Sequence, residues 1–324
     1  MAESEFVISG ATGFIGRRLV RALRKDGQSC RLLARRPIPN ENALLVDFSD
    51  KSTLTAALSG SERVFHCAGY AHAFSSRNAD DAQQHWRVNF EATRNLVEAA
   101  GLAGVKRFVF LSSVKAMAEP GELCADEDFP GKPESDYGAA KRAAEQAVLA
   151  VGRSSGMHVV NLRLAMVYGA GGKGNLERMG RLVKRGFFPP LPETGNHRSL
   201  IHVDDVVSAL RLVAEDERAA GKTYVLASPH APSGRALFNA LREAHGLPAC
   251  RWSVPKFVLQ TAAILGDLLE LPLGRRLPLN SEVVERLLGS AWYSPMRIER
   301  ELGWRAQVSL ADGLCEMLKN ETNT

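Results

Sequence analysis

Apolar and polar residues alternate along the first half of the chain with two different periods. Short apolar runs bounded by turn residues indicate strands at Phe6–Ser9, Arg31–Ala34, Arg63–Cys67, Phe108–Ser112 and Val159–Leu164. Between these runs, apolar residues recur at helical spacing in segments 17–26, 51–59, 87–103 and 138–152. Strands that alternate with helices form βαβ units, so the pattern predicts an α/β fold with a doubly wound parallel sheet.

The pattern changes after Gly169, where glycine and proline crowd residues 169–174 and 188–192 and the later elements become short. We therefore predict a main domain over residues 1–169 and a smaller C-terminal α/β lobe over 170–200 and 228–324. Residues 201–227 contain a helical segment and a strand that we expect to return to the main sheet.

Composition narrows the class of protein. The chain has 324 residues, of which 45% are hydrophobic, so it can bury a large core. The first residues lack the pattern of a signal peptide, and the most apolar stretch, 257–273, is interrupted by Asp267, Glu270 and Pro272. Five scattered cysteines fit neither a metal nor a redox spacing. We expect a cytoplasmic protein with reduced thiols and no membrane insertion.

The net charge of +5 suits a small anionic ligand but is too low to indicate nucleic acid. Basic residues crowd the segment from Arg17 to Lys25, where a solvated helix face explains them. We therefore expect no nucleic-acid partner.

Three glycines after the first strand predict a dinucleotide site. Gly10, Gly13 and Gly16 follow Val7-Ile8-Ser9 and open a helix. The first allows a tight turn, the second a close approach to a pyrophosphate, and the third helix–strand packing. The helix N-terminus would then bind the phosphates. The candidate phosphate-binding residues are Gly10, Thr12, Gly13, Phe14, Ile15 and Gly16. An ordinary turn between a strand and a helix is the alternative.

Two further motifs add candidate chemistry. Tyr137 and Lys141 are spaced to share one helix face, and Ser112-Ser113 ends a buried strand. Either motif alone can arise by chance or serve as a helix cap. Together with the glycines, in this order, they resemble the short-chain dehydrogenase/reductase superfamily. The length and the C-terminal lobe resemble its extended branch, the NAD-dependent epimerase/dehydratase family, across nearly the whole chain.

This resemblance implies a Rossmann-type domain, a substrate-binding C-terminal lobe and hydride transfer. Tyr137 would act as the acid/base, Lys141 would support it, and Ser113 rather than Ser112 would hydrogen-bond the reacting oxygen. A tyrosine has a reference pKa of ~10, and lowering it to ~7 requires roughly 4 kcal/mol of phenolate stabilisation. We expect Lys141 and the positive nicotinamide ring to supply that stabilisation.

The cofactor preference depends on the end of the second strand. Ala34 stands where NAD-preferring relatives carry an acidic residue, and Arg35 and Arg36 follow it. Guanidinium groups suit a 2′-phosphate, so NADP(H) is favoured over NAD(H), although a solvated charge pair is the alternative. By resemblance, the remaining cofactor contacts are Asp47, Phe48, Ala68, Gly69, Asn89, Tyr137 and Lys141, with Thr93 supporting the central site.

The C-terminal half resembles enzymes that act on nucleotide sugars. Asn175 matches the asparagine that contacts the nucleotide diphosphate, and Arg198 matches the arginine that binds a UDP diphosphate. The alternative for Arg198 is a loop arginine paired with Glu193. His202 is interpreted as a structural core histidine, and we predict no metal site.

The resemblance also restricts the reaction. Val114-Lys115 replaces the acidic pair that dehydratases carry after the catalytic hydroxyl, which argues against a 4,6-dehydratase. The nearest resemblance is to UDP-sugar 4-epimerases and to UDP-4-keto-hexosamine reductases of bacterial surface-polysaccharide synthesis. We predict NAD(P)-dependent oxidoreduction at C4 of a UDP-hexose or UDP-N-acetylhexosamine, with reduction of a 4-keto sugar favoured over 4-epimerisation.

Two more distant alternatives stay open. A sterol- or flavonoid-type ketone reductase would have an apolar substrate lobe without a diphosphate site. A non-catalytic nucleotide-binding sensor would typically have lost Tyr137 or Lys141, and this chain keeps both. Helices near 87–103 and 138–152 resemble those that pair in the family's homodimers, so we expect a homodimer, although Val148 and Leu149 can equally be internal core.

Overall fold

The structure, a computed structural model, describes residues 6–70, 79–172, 174–273 and 280–319. The strands are β1 Phe6–Ser9, β2 Cys30–Ala34, β3 Ala43–Leu45, β4 Arg63–His66, β5 Arg107–Ser113, β6 Cys124–Ala125, β7 His158–Leu164, β8 Met166–Tyr168, β9 Leu200–His202, β10 Lys222–Leu226 and β11 Trp292–Tyr293. The helices are α1 Phe14–Lys25, α2 Lys51–Leu58, α3 Ala79–His85, α4 Ala92–Leu102, α5 Asp136–Ser155, α6 Asn175–Lys184, α7 Val203–Glu215, α8 Gly234–Ala244, α9 Lys256–Leu273, α10 Ser281–Leu288, α11 Met296–Leu302 and α12 Leu310–Lys319. A π-helical turn, Trp86–Glu91, joins α3 to α4.

Seven strands form one parallel sheet in the order β10-β7-β5-β4-β1-β2-β3. The order reverses between β1 and β4, which leaves a crevice at the carboxyl ends of these strands, where open α/β sheets bind ligands. The sheet confirms the predicted doubly wound α/β fold, and all five predicted strands belong to it. Strand β3 is the short apolar stretch that precedes Asp47.

Helices cover both faces of the sheet because successive strand residues point to opposite sides. On one face, Ile8 packs with Leu19 of α1 and Leu210 of α7. On the other, Phe108 packs with Leu96 of α4 and Val148 of α5. Val148 therefore belongs to the internal core, which was the alternative to a position in the homodimer interface.

A third core lies in the C-terminal half. It joins α6, α8, α9, α10 and α12, with Leu176, Phe238 and Leu241 among its buried side chains. Strand β10, which lies within residues 201–227, pairs with β7 in the main sheet. Helix α11 also packs on the sheet, through Ile298 and Leu302, although it lies within the range assigned to the lobe. The domain boundaries themselves stay a prediction.

Helix α9 corresponds to the apolar stretch noted in the sequence. Within the described ranges, each helix is too short or too polar to cross a bilayer.

Candidate active site

The turn between β1 and α1 has the geometry that its glycines require. Gly10 adopts a φ of +76°, and a Cβ there would lie 2.5 Å from the backbone nitrogen of Ala68. A Cβ on Gly16 would lie 2.2 Å from the carbonyl oxygen of Gly10. Helix α1 begins after Gly13 without a side-chain cap, so its first N–H groups are available to a phosphate. The cradle formed by the candidate residues Gly10 to Gly16 therefore fits a pyrophosphate.

The residues predicted to contact the adenosine end of the cofactor follow β2 and β3, beside this cradle. Arg35 and Arg36 follow β2 directly and are exposed, next to the β1–β2 pair. Asp47 and Phe48 follow β3, the next strand along the same edge. The Asp47 carboxylate accepts hydrogen bonds from the backbone and hydroxyl of Ser49, which lower the pKa of Asp47.

The segment after β4 approaches the catalytic helix. A Cβ on Gly69 would lie 3.3 Å from both Asn89 Oδ1 and Lys141 Nζ, so this position has little room for a side chain. Asn89 is fully buried and forms two hydrogen bonds of 2.9 Å with the backbone of Tyr70. Asn89 thereby fixes the course of the chain just after Ala68 and Gly69.

Ser113, Tyr137 and Lys141 come together at the carboxyl end of β5. Ser113 ends that strand and hydrogen-bonds the Tyr137 phenol. Tyr137 lies in the first turn of α5, whose N-cap is the Ser135 hydroxyl, and Lys141 lies one turn later. The Lys141 ammonium is buried, donates 2.8 Å to the Leu111 carbonyl and lies 4.6 Å from the centre of the Phe110 ring.

Burial sets the protonation of this group. It raises the pKa of Tyr137 despite the opposing hydrogen bond from Ser113, and it lowers the pKa of Lys141 to about 8. The expected lowering of the Tyr137 pKa by Lys141 is therefore not found among the protein's own groups, because desolvation of the phenolate outweighs the favourable contacts. Tyr137 is consequently a phenol at neutral pH, with a proton to donate.

Ser112 has a different environment from Ser113. Its hydroxyl donates 2.5 Å to Glu145, which also forms a buried ion pair with Arg163 at 2.8 Å. This network holds β5, α5 and β7 together. The assignment of a structural role to Ser112 agrees with these contacts.

One residue of the site was missed from the sequence. His85 is buried, and its ring centre lies 5.5 Å from that of Tyr137 in an edge-on contact. Its Nδ1 lies 3.3 Å from Asn89 Nδ2. His85 and Asn89 are four residues apart and share one helix face, but the sequence does not show that this face meets Tyr137, because that contact depends on the packing of α3 and the π-helical turn against α5.

The two diphosphate candidates, Asn175 and Arg198, line one cavity of about 590 Å³ between α6, α8 and α10, whereas Ser113 is not among its lining residues. Asn175, Arg198 and Arg286 lie in its wall, together with apolar residues such as Leu176 and Leu237. Glu193, the alternative partner of Arg198, instead accepts hydrogen bonds from Ser233 and Gly195. Burial lowers the pKa of Arg198, although Glu119 and Tyr293 oppose that shift.

His202 is fully buried and contacts the Tyr168 ring, in agreement with its interpretation as a core histidine. It lies with Asp204 and Glu316 in the one described group that has the donors for a metal ion. Arg18 already forms ion pairs with both carboxylates, at 2.5 and 2.7 Å. The Arg18 guanidinium thus supplies the positive charge that balances the Asp204 and Glu316 carboxylates.

The crevice, the glycine cradle and the Ser-Tyr-Lys group define a dinucleotide-dependent α/β enzyme. Residues 6–227 match the model of the NAD dependent epimerase/dehydratase family, so the chain belongs to that family and has the fold of extended short-chain dehydrogenases/reductases.

Three similar proteins span nearly the whole chain. UDP-glucose 4-epimerase of Vibrio cholerae is 30% identical and covers 95% of this chain and 92% of its own. Sterol demethylase protein B of Methylococcus capsulatus is 31% identical and covers 92% of both chains. The solved structure of MoeE5 in complex with UDP-glucose and NAD superposes with a TM-score of 0.76 at 25% identity, over 98% of this chain and 99% of that one.

Proposed function

We propose that this enzyme transfers hydride between a nicotinamide cofactor and C4 of a UDP-hexose or UDP-N-acetylhexosamine, in the direction that reduces a 4-keto sugar. The proposal rests mainly on the placement of Ser113, Tyr137 and Lys141 beside the glycine cradle. The UDP-glucose of MoeE5 and the activity of the Vibrio relative support the sugar-nucleotide part.

The cavity supports a diphosphate ligand. Arg198 and Arg286 lie in its wall with Asn175, and a guanidinium presents N–H donors in a planar fork that matches phosphate oxygens. The apolar remainder of the wall would contact the uracil and sugar rings. We propose that Arg198 and Asn175 hold the diphosphate while the sugar extends toward Ser113.

Reduction uses the phenol form of Tyr137, which burial maintains at neutral pH. The glycine cradle and the arginines after β2 would hold NADPH, and the chemistry that the cofactor would supply there is hydride donation to C4 of the keto sugar. The phenol of Tyr137 gives its proton to the C4 oxygen, and Ser113 hydrogen-bonds that oxygen. Lys141 stabilises the phenolate left on Tyr137. We propose NADP(H) because Arg35 and Arg36 stand exposed after β2 without an acidic residue at position 34.

A second candidate is 4-epimerisation with NAD, which the Vibrio epimerase favours. The two reactions share Tyr137, Lys141 and Ser113. They differ in whether the keto sugar turns before hydride returns to it.

The experiment supplies UDP-GlcNAc and a UDP-4-keto sugar to the purified protein, with and without NADPH, and identifies any nucleotide that copurifies. Stoichiometric NADPH consumption with the keto sugar alone supports reduction. Epimerisation without added reductant would exclude that direction.

The nucleotide part has its own test. UDP should raise the melting temperature of the native protein and of an Arg300→Met control, which changes an exposed arginine on α11, but not that of Arg198→Met. If UDP protects none of the three proteins, a sterol-type ketone reductase, as the Methylococcus relative suggests, becomes the better assignment.

A further inference from the structure

Helix α9 exposes five large apolar side chains on one face. Phe257, Ile264, Leu265, Leu268 and Leu269 lie on this face, and between 53% and 67% of each side chain's surface is exposed. Their spacing of one, three, four and seven residues places them within a single stripe of the helix. A monomeric protein rarely leaves so many large apolar side chains together in water.

The opposite face of α9 packs on the lobe and holds the helix's acidic groups. Leu259 and Ala263 are buried there. Asp267 accepts a hydrogen bond from the backbone of Ser281, and Glu270 accepts one from the Asn280 side chain. Both carboxylates are thus engaged with the start of α10, and the exposed stripe carries no charge.

Two further exposed aromatic residues lie in the segment before α9 and in the segment hydrogen-bonded to it. Trp252 and Phe187 are 64% and 78% exposed and border one groove of about 350 Å³. The Val254 backbone donates 2.9 Å to the Pro190 carbonyl, which fixes the two segments side by side. The apolar stripe and these two aromatics form what we call the α9 surface.

Of the acidic residues near the α9 surface, Asp267 and Glu270 hydrogen-bond the start of α10, Glu282 of α10 pairs with Arg286, and Glu285 of α10 is exposed. Segments 184–190 and 248–266 add four basic residues, Lys184, Arg185, Arg251 and Lys256. All four are exposed. A second copy of the chain would bring an equally positive border against it, whereas anionic lipid headgroups supply the opposite charge.

We propose that the α9 surface docks the protein on an anionic lipid bilayer. An 18-residue helix is about 27 Å long and would lie in the interface plane, with its apolar stripe among the acyl chains and the basic residues at the headgroups. Trp252 would sit at the boundary, where indole rings are enriched. This docking is peripheral, in keeping with the absence of a membrane-spanning helix from the described residues.

Vesicle sedimentation tests the proposal on the full chain. The protein should sediment with phosphatidylglycerol-containing vesicles, sediment much less with pure phosphatidylcholine, and be released by 0.5 M salt, a condition of roughly 4 Å screening length. In the double variant Leu265→Ser/Leu268→Ser, the fraction of protein bound to vesicles should fall at least tenfold. Leu102→Ser, which changes a leucine that is 74% exposed on α4, should bind as the native protein does.

Thermal unfolding shows whether the variants are folded, since each replaces exposed side chains. Equal sedimentation of the native protein and the folded double variant would overturn the proposal. So would failure to bind vesicles, combined with light scattering that shows a smaller assembly for the double variant, because α9 would then contact a second copy.

Discussion

Lys141 is a buried ammonium held by one carbonyl and one aromatic ring, and its lowered pKa has consequences for stability. The pKa is about 8 in the folded protein and 10.5 in the unfolded reference. Below pH 8 both states are protonated and the buried charge destabilises the fold. Between about pH 8 and 10.5 the unfolded state binds more protons, so this contribution to stability rises with pH.

The variant Lys141→Met should therefore be inactive but more stable at pH 7, by up to about 3 kcal/mol. The difference from the native protein should shrink as the pH rises from 8 to 10.5. Urea unfolding at pH 7, 9 and 10.5 measures it. A difference that stays constant across this range would show that Lys141 keeps an ordinary pKa.

Tyr137 gives the test of catalysis itself. Tyr137→Phe removes the transferable proton and keeps the ring that contacts His85. We expect turnover to fall by a factor of about 10² to 10⁴, while the variant still binds the cofactor, as measured by fluorescence titration. Unchanged turnover of the true substrate would instead support the non-catalytic sensor.

Arg36 gives the test of cofactor choice. Arg36→Glu places a negative charge where a 2′-phosphate is expected, so KM for NADPH should rise by about 10- to 100-fold while KM for NADH changes little. Steady-state kinetics with both cofactors measure the effect. Equal changes for the two cofactors would mean that Arg36 does not contact the 2′ position.

At the scale of elements, the site depends on how closely α5 approaches the end of β5. A Cβ on Gly138 would lie 2.1 Å from the carbonyl oxygen of Lys115, two residues beyond Ser113. Gly138 therefore fixes the distance between the Tyr137 helix and the Ser113 strand. Because the obstacle is backbone, a small side-chain movement cannot relieve the overlap.

Gly138→Ala should destabilise the protein by about 1 to 3 kcal/mol and lower kcat by displacing Tyr137 from Ser113. Gly101→Ala in α4 is the matched control, since its Cβ would meet only side chains, Val151 at 3.3 Å and Ser155 at 3.6 Å. Thermal unfolding and kinetics on both variants measure the effects. Equal behaviour of the two variants would contradict the role given to Gly138.

At the scale of the whole molecule, the expected homodimer would bury the outer face of α5. Ala143, Ala147 and Ala150 are partly or fully exposed along one line of that face, while Val148 points into the core. Small side chains allow two helices to approach closely. This face is separate from the α9 surface.

Ala150→Arg should convert the dimer to monomer, because a charged side chain would then lie within the helix pairing. Ala56→Arg, at an exposed alanine of α2, should leave the dimer intact. Light scattering gives the mass of each variant. If the native protein is already monomeric, the expected homodimer is wrong.

The sequence by itself determined the sheet and most of the chemistry. The spacing of apolar residues was sufficient to predict β1, β2, β4, β5 and β7, because a strand that is buried on both sheet faces requires a continuous apolar run. Gly10, Gly16, Tyr137 and Lys141 were evident because turn geometry and proton transfer require those residue types. These features depend on local spacing and side-chain chemistry.

The tertiary structure decided what depends on distant contacts. The packing of α3 and the π-helical turn against α5 brought His85 to Tyr137, and burial rather than Lys141 set the pKa of Tyr137. The exposed face of helix α9 could not be predicted from the sequence either. The helix is apolar over much of its circumference, so periodicity does not distinguish its buried face from its exposed face. Only its packing against α10, which engages Asp267 and Glu270, left the other apolar face in water.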